Sequence, residues 1–217
     1  MPELPEVQTT VNGINSVAKG HRITAVWTDY NSPHYHGSDT IKDPKYFSFF
    51  KKIVTGRTIL SAERRAKNIL IHLSAAETAE PQTILIHMKM TGHMMAGEYI
   101  FDKKAKKDPW KPAHTASPAL HDPFNRFIHL VFTLSGNSDK HLVLSDMRKF
   151  AKVTVVPTRT LHTSAHLREI GPEPLESTFI YEVFLERLAL RPNAKIKPTL
   201  MDQSIIAGVG NIYADES

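Results

Sequence analysis

The strongest constraint on this fold is a change of apolar period a short way into the chain. After Leu4-Pro5-Glu6, apolar residues fall at Val7, Val11, Ile14 and Val17, a helical spacing that Gly20 closes with a residue suited to a C-cap. Beyond it, apolar residues gather in short runs that read as strands: Arg22 to Tyr30, Asn68 to Leu73, Thr83 to Met90, Arg126 to Leu134, His141 to Leu144 and Lys152 to Val156. One leading helix and six short strands predict a β-sandwich or barrel-like domain, because half-apolar sheets must bury that face against another layer. Between Glu98 and Asn125, where a lysine-rich run and several prolines interrupt any period, the sequence predicts a long excursion between strands.

From about Pro157 the pattern changes again. A linker ending in Gly171-Pro172-Glu173-Pro174-Leu175 leads to helical spacing at Phe179, Val183, Leu185, Leu188 and Leu190. The expected class is therefore α+β: an N-terminal β-sandwich with a leading helix over residues 1–157, a linker over 158–176, and a helical unit over 177–217. Its last helix, opened by Asn211, is still running at Ser217.

Composition narrows the function. Lys and Arg number 27 against 22 Asp and Glu, a net charge of +5 that favours a polyanionic partner through phosphate contacts and counterion release. The absence of cysteine excludes disulfides, thiol nucleophiles and cysteine-based zinc sites within these residues. No run approaches the ~20 apolar residues that span a bilayer, and the start lacks the basic-then-apolar pattern of a secretory signal, so a cytoplasmic, bacterial-type protein is expected. The 12 histidines are scattered, with His34 and His36 the one close pair, and no metal site is expected.

The chemistry begins at Met1-Pro2. Removal of Met1 leaves Pro2 with a secondary amine of pKa roughly 8, partly unprotonated at neutral pH. Such an amine attacks an electrophilic carbon and forms a charged iminium, an electron sink that needs no further protonation. Glu3 adjoins the nucleophile and suits proton transfer. Glu6 falls in the first helical turn, where the helix dipole favours its ionised form.

Met1-Pro2-Glu3-Leu4-Pro5-Glu6-Val7 resembles the N-terminal signature of the formamidopyrimidine-DNA glycosylase and endonuclease VIII family of bifunctional base-excision repair enzymes. Further matches follow in order: Arg64-Arg65-Ala66-Lys67, His87-Met88-Lys89-Met90-Thr91-Gly92, Asp146-Met147-Arg148-Lys149-Phe150, and Lys197 through Glu216, which resembles the first part of a helix-two-turns-helix element. The resemblance implies that Pro2 is the nucleophile at the sugar C1′, that Glu3 moves protons with Glu6 in support, and that Lys67 contacts phosphate and assists at the lesion. His87 and Asn211 are implied phosphate contacts, with the amides around Gly208 and Gly210 approaching a phosphate at the helix start. Met90, Arg148 and Phe150 are implied to fill the gap left by an extruded nucleotide, offsetting part of an unstacking cost of a few kcal/mol. The family often carries proline, arginine and glycine where Met147, Lys149 and Ala151 stand here.

The activity implied is that of a glycosylase with associated AP lyase activity on duplex DNA bearing oxidised bases, 8-oxoguanine and formamidopyrimidines above all, acting as a monomer without a cofactor. The resemblance also implies a further helical segment and a four-cysteine zinc finger beyond Ser217, so that zinc belongs to a longer form and this chain processes intact duplex poorly. The alternatives are a non-catalytic damaged-DNA-binding fragment or inactive remnant, and a small-molecule enzyme of tautomerase type using the same proline, for which the wedge and phosphate motifs have no purpose.

Overall fold

The computed structural model describes residues 1–30, 39–76, 79–105, 107–136 and 140–217; His34 and His36 lie outside the described residues. Helix α1 (Leu4–Val17) buries Leu4, Val7, Val11 and Ile14 on one stripe, as the spacing predicts. Its C-cap is Ala18, with Gly20 following at φ 84°, while Val17 is 39% exposed and so falls outside the stripe.

Among the described residues nine strands follow: β1 (Ile23–Thr28), β2 (Ile59–Arg65), β3 (Asn68–Leu73), β4 (Gln82–His87), β5 (His93–Phe101), β6 (Trp110–Pro112), β7 (Ile128–Leu134), β8 (Lys140–Ser145) and β9 (Lys152–Pro157). They form two antiparallel sheets, one in the order β1-β7-β8-β5-β6 and one in the order β2-β3-β4-β9. The period-two alternation places Leu130, Phe132, Leu134, Leu142 and Leu144 of the first sheet in one core with Ile69, Ile71, Ile84, Ile86, Val153 and Val155 of the second. The sandwich is therefore the expected one, with three more strands than the sequence reading assigned.

Each missed element has a physical reason. Strand β2 carries Glu63, Arg64 and Arg65, and β5 buries only Tyr99 fully, so neither shows an apolar run. Helix α2 (Pro44–Val54) sinks only Phe50 and Val54; its start is specified by Asp43, whose Oδ1 accepts from the Lys45 and Tyr46 amides, both at 2.8 Å. The excursion from Glu98 is a correction: β5 runs on through it to Phe101 and pairs with β6. It packs Trp110 and Leu120 against Tyr99, Ile128, Val131 and Val143, the outer face of the five-stranded sheet.

The outer face of the other sheet is covered by the linker, where Leu161 and Leu167 bury Leu70 and Leu85. This second cover is why β3 and β4 read as continuous apolar runs. Beyond the linker come α3 (Tyr181–Ala189), α4 (Ile196–Met201) and α5 (Asn211–Glu216). The intervening loop is tied to α3 by Arg187, which donates to the carbonyls of Ile205 and Ser204. Among the described residues, no helix is long and apolar enough to cross a membrane.

Asp43→Ala strips two amides of their acceptor at the start of α2. The expected loss is about 1 kcal/mol, a fall of roughly 3 °C in Tm readable by calorimetry.

Candidate active site

The Glu3 side chain makes the most hydrogen bonds of any described residue between the chain start and the helical unit. Glu3 is 1% exposed, and its carboxylate accepts from the backbone amides of Gly210 at 2.8 Å, Ile212 at 2.9 Å and Tyr213 at 3.3 Å, the first turn of α5. A Cβ on Gly210 would overlap the Glu3 carboxyl, which explains the glycine there. Gly208, at φ 86°, lets the Leu4 amide reach its carbonyl at 3.2 Å. These bonds correct one expectation: the Gly210, Ile212 and Tyr213 amides are turned onto a carboxylate of the chain itself, while Asn211, exposed at the first position of α5, keeps its side chain toward solvent.

Glu6 completes this end. Its Oε2 accepts from the Glu3 amide at 2.9 Å, and its Oε1 from the Tyr213 hydroxyl at 3.1 Å. Pro2 is partly buried between Met1 and Glu3.

A second tie fixes Lys67. Glu173, in the linker and 5% exposed, accepts from Arg64 Nη1 at 2.5 Å, Arg65 Nη1 at 2.9 Å and the Ala66 amide at 2.6 Å. Arg65 also donates to the carbonyls of Ile170 and Gly171. The turn that results holds Ala66 at φ 52° and buries Lys67 to 5% exposure. Burial pushes the Lys67 ammonium below its ordinary range, and the negative charge of Glu3 opposes that shift.

Lys67 opens onto a cavity of about 250 Å³ lined also by Asn68, His87, Lys89, Lys152 and Gln203. The ladder explains the gathering, since Asn68 pairs with His87 and His87 with Lys152 across β3, β4 and β9. His87 Nδ1 accepts from the Lys89 amide at 3.0 Å, which leaves the ring proton on Nε2. Burial first, then the charges of Lys89 and Lys67, push His87 down to about 4. Lys89 and Lys152 went unassigned in the sequence, where an isolated lysine at a strand end carries no signal.

Two connectors cross between the sheets at this same end. Residues 88–92 pass from β4 to β5, and residues 146–151 from β8 to β9. They expose Met90 at 48%, Met147 at 50% and Phe150 at 46%, with the Arg148 guanidinium 4.7 Å from the Phe150 ring centre. The fully buried Asp146 joins the connectors, a role its place in the motif did not reveal. Its Oδ1 accepts from the Thr91 hydroxyl at 2.5 Å and the Arg148 amide at 3.3 Å, and its Oδ2 from the Tyr30 hydroxyl and Ala151 amide, each at 2.8 Å. Met90, Arg148 and Phe150 are thus presented together. Among the described residues no three His, Asp or Glu side chains gather as a metal site.

With this geometry in place, the comparisons agree. Residues 1–153 match the family model of the formamidopyrimidine-DNA glycosylase N-terminal domain and residues 170–217 that of its H2TH domain. The chain belongs to the formamidopyrimidine-DNA glycosylase family. Formamidopyrimidine-DNA glycosylase of Pelotomaculum thermopropionicum is 36% identical over the whole chain, and that of Desulforamulus reducens 32%; the chain spans 65% of the length of each. Lactococcus lactis Fpg in complex with abasic-site DNA superposes with a TM-score of 0.69 at 27% identity, covering 99% of this chain and 65% of that one. The same enzyme with a DNA containing N7-benzyl-Fapy-dG gives the same values.

Two measurements test the site. The unfolded chain protonates His87 near 6.5 and the folded chain near 4, so the stability owed to its neutral ring is complete above pH 6.5 and falls as pH drops through that window. NMR at pH 6 is expected to show a neutral ring protonated at Nε2; a half-charged ring there would contradict the geometry. Thr91→Val keeps the shape of residue 91 and removes the bond between the connectors, for an expected loss of about 1–2 kcal/mol. Hydrogen exchange should then quicken in residues 88–92 and 147–150 together.

Proposed function

We propose that this chain is a DNA glycosylase with AP lyase activity that excises oxidised bases, 8-oxoguanine and formamidopyrimidines, from duplex DNA through a Schiff base on Pro2. The observation that carries this reading is the buried Glu3 carboxylate, next in the chain to Pro2, lying near enough to the buried Lys67 for its charge to act on that ammonium, with Lys67 opening onto a cavity lined also by His87, Lys89 and Lys152.

The reaction follows from the groups present. Once Met1 is removed, the Pro2 nitrogen bonds to C1′ of the damaged nucleotide while the base leaves with the electron pair of the glycosidic bond. Ring opening then breaks C1′–O4′: the Pro2 nitrogen gives up its proton and its lone pair forms the C1′=N bond of the iminium, while O4′ leaves with the bond's electron pair and takes up a proton. Loss of a proton from C2′ then expels the 3′ phosphate, and a second elimination frees the 5′ phosphate. Glu3 carries the proton to O4′, its carboxylate held in place by the amides of Gly210, Ile212 and Tyr213.

Lys67, with its charge opposed by burial, contacts the phosphate beside the lesion, and neutral His87 donates from Nε2 to a phosphate oxygen without itself titrating near neutral pH. Asn211 adds a side-chain donor. Met90, Arg148 and Phe150 enter the space left by the extruded nucleotide, with Arg148 facing the orphaned base.

Borohydride trapping on duplexes carrying 8-oxoguanine opposite cytosine, or an abasic site, tests the reading. Protein freed of Met1 is expected to give a covalent adduct mapping to Pro2. Glu3→Gln should reduce trapping on 8-oxoguanine at least 100-fold. Binding of both duplexes without any adduct would instead make the chain a damaged-DNA-binding protein without catalysis.

A further inference from the structure

We propose that Lys89 and Lys152, together with Lys67 and His87, form a site for a terminal phosphate monoester, the dianionic group that strand cleavage leaves on DNA. This inference rests on the glycosylase and lyase reading above and names what the same cavity holds once the strand is cut.

The four side chains line one cavity of about 250 Å³. Lys67 comes from the turn between β2 and β3, Lys89 from the connector between β4 and β5, and Lys152 from the first residue of β9. His87 stands opposite Lys152 in the β4–β9 ladder, and its Nδ1 accepts from the Lys89 amide at 3.0 Å. The wall also includes His166 and Ile170 of the linker, which makes the cavity a recess between sheet and linker.

The positive charge of this recess is not matched within the chain. Among the described residues the lysines ion-paired with a carboxylate are Lys111, Lys149 and Lys197; Lys67, Lys89 and Lys152 have no such partner, although Asp39 also lines the cavity. Glu3 acts on Lys67 through its charge. At Lys89, by contrast, burial and the charge of Lys152 both push the ammonium below its ordinary range. Lys89 also stands at φ 57°, a backbone conformation that favours glycine, so a charged side chain is kept where the turn itself suits none.

The chemistry of the product matches this surplus. A phosphodiester carries a single negative charge, for which Lys67 and the neutral His87 donor suffice. Each elimination breaks a C–O bond, leaves the electron pair on the phosphate oxygen and so turns a diester into a monoester of roughly −1.5 to −2 charge at neutral pH. The added charge needs added cations within hydrogen-bonding reach, and Lys89 and Lys152 supply them.

Two measurements on the chain and its Lys89→Gln and Lys152→Gln variants test this site. Inorganic phosphate is titrated in the absence of DNA and followed by calorimetry; the unaltered chain is expected to bind it, and each variant about fivefold or more weakly. A duplex with a single-nucleotide gap flanked by terminal phosphates is then compared, by fluorescence anisotropy, with the same duplex ending in hydroxyls. The unaltered chain is expected to prefer the phosphates by about tenfold, and both variants to lose most of that preference. Lys111→Gln removes the same charge outside the cavity lining and is expected to retain it. Unchanged melting temperatures confirm the fold of each variant. Failure of the unaltered chain to bind phosphate, equal affinity for the two gapped duplexes, or unaltered behaviour in both variants overturns this inference alone. Binding of phosphate but of neither duplex overturns the DNA reading and leaves an anion site without its DNA.

Discussion

The site depends on one buried carboxylate. Glu3 joins the third residue of the chain to a helix more than two hundred residues later through three backbone amides. A charge buried to 1% exposure is tolerated only where donors replace water, and the first turn of α5 supplies them with its dipole aligned. Glycine at 210 follows from this contact, and so does the fate of amides that otherwise suit a phosphate.

Glu173 is the matching tie on the other side. By accepting from Arg64, Arg65 and Ala66, it fixes the turn that buries Lys67 and binds the linker to the sandwich. One carboxylate thus ties the helical unit to the chain start and the other ties the linker to the turn before Lys67. Non-glycine residues at positive φ recur here, Ala66, Lys89 and Lys149, at 52°, 57° and 53°. Each sits in a turn carrying a candidate residue. Such conformations cost of order 1 kcal/mol and persist because Glu173, His87 and Asp146 hold their neighbours.

Much of this was legible in the sequence, for reasons that differ by element. Helix α1 was readable because its stripe faces a single core, and β3, β7, β8 and β9 because burial makes their residues apolar. Strands β2 and β5 and helix α2 were not, since their stability comes from ladder bonds and a cap rather than from an apolar run. The excursion looked loop-like because Trp110 and Leu120 pack at isolated positions with no period. Pro2, Glu3, Glu6, Lys67, His87, Met90, Arg148, Phe150 and Asn211 are candidates by residue type and motif order. Asp146 and Glu173 stood in quoted motifs without a role, because a buried acid is indistinguishable from a surface acid until its donors are placed.

By itself the sequence determined the α+β class, the sandwich with a leading helix and the family. These depend on local period and on motifs contiguous in the chain. The tertiary structure alone decided that the helix amides at α5 serve Glu3 and that Asp146 joins two connectors. Each is a contact between residues dozens to hundreds of positions apart, and hydrogen-bond geometry across such separations is fixed by strand register and layer packing, which no local pattern encodes.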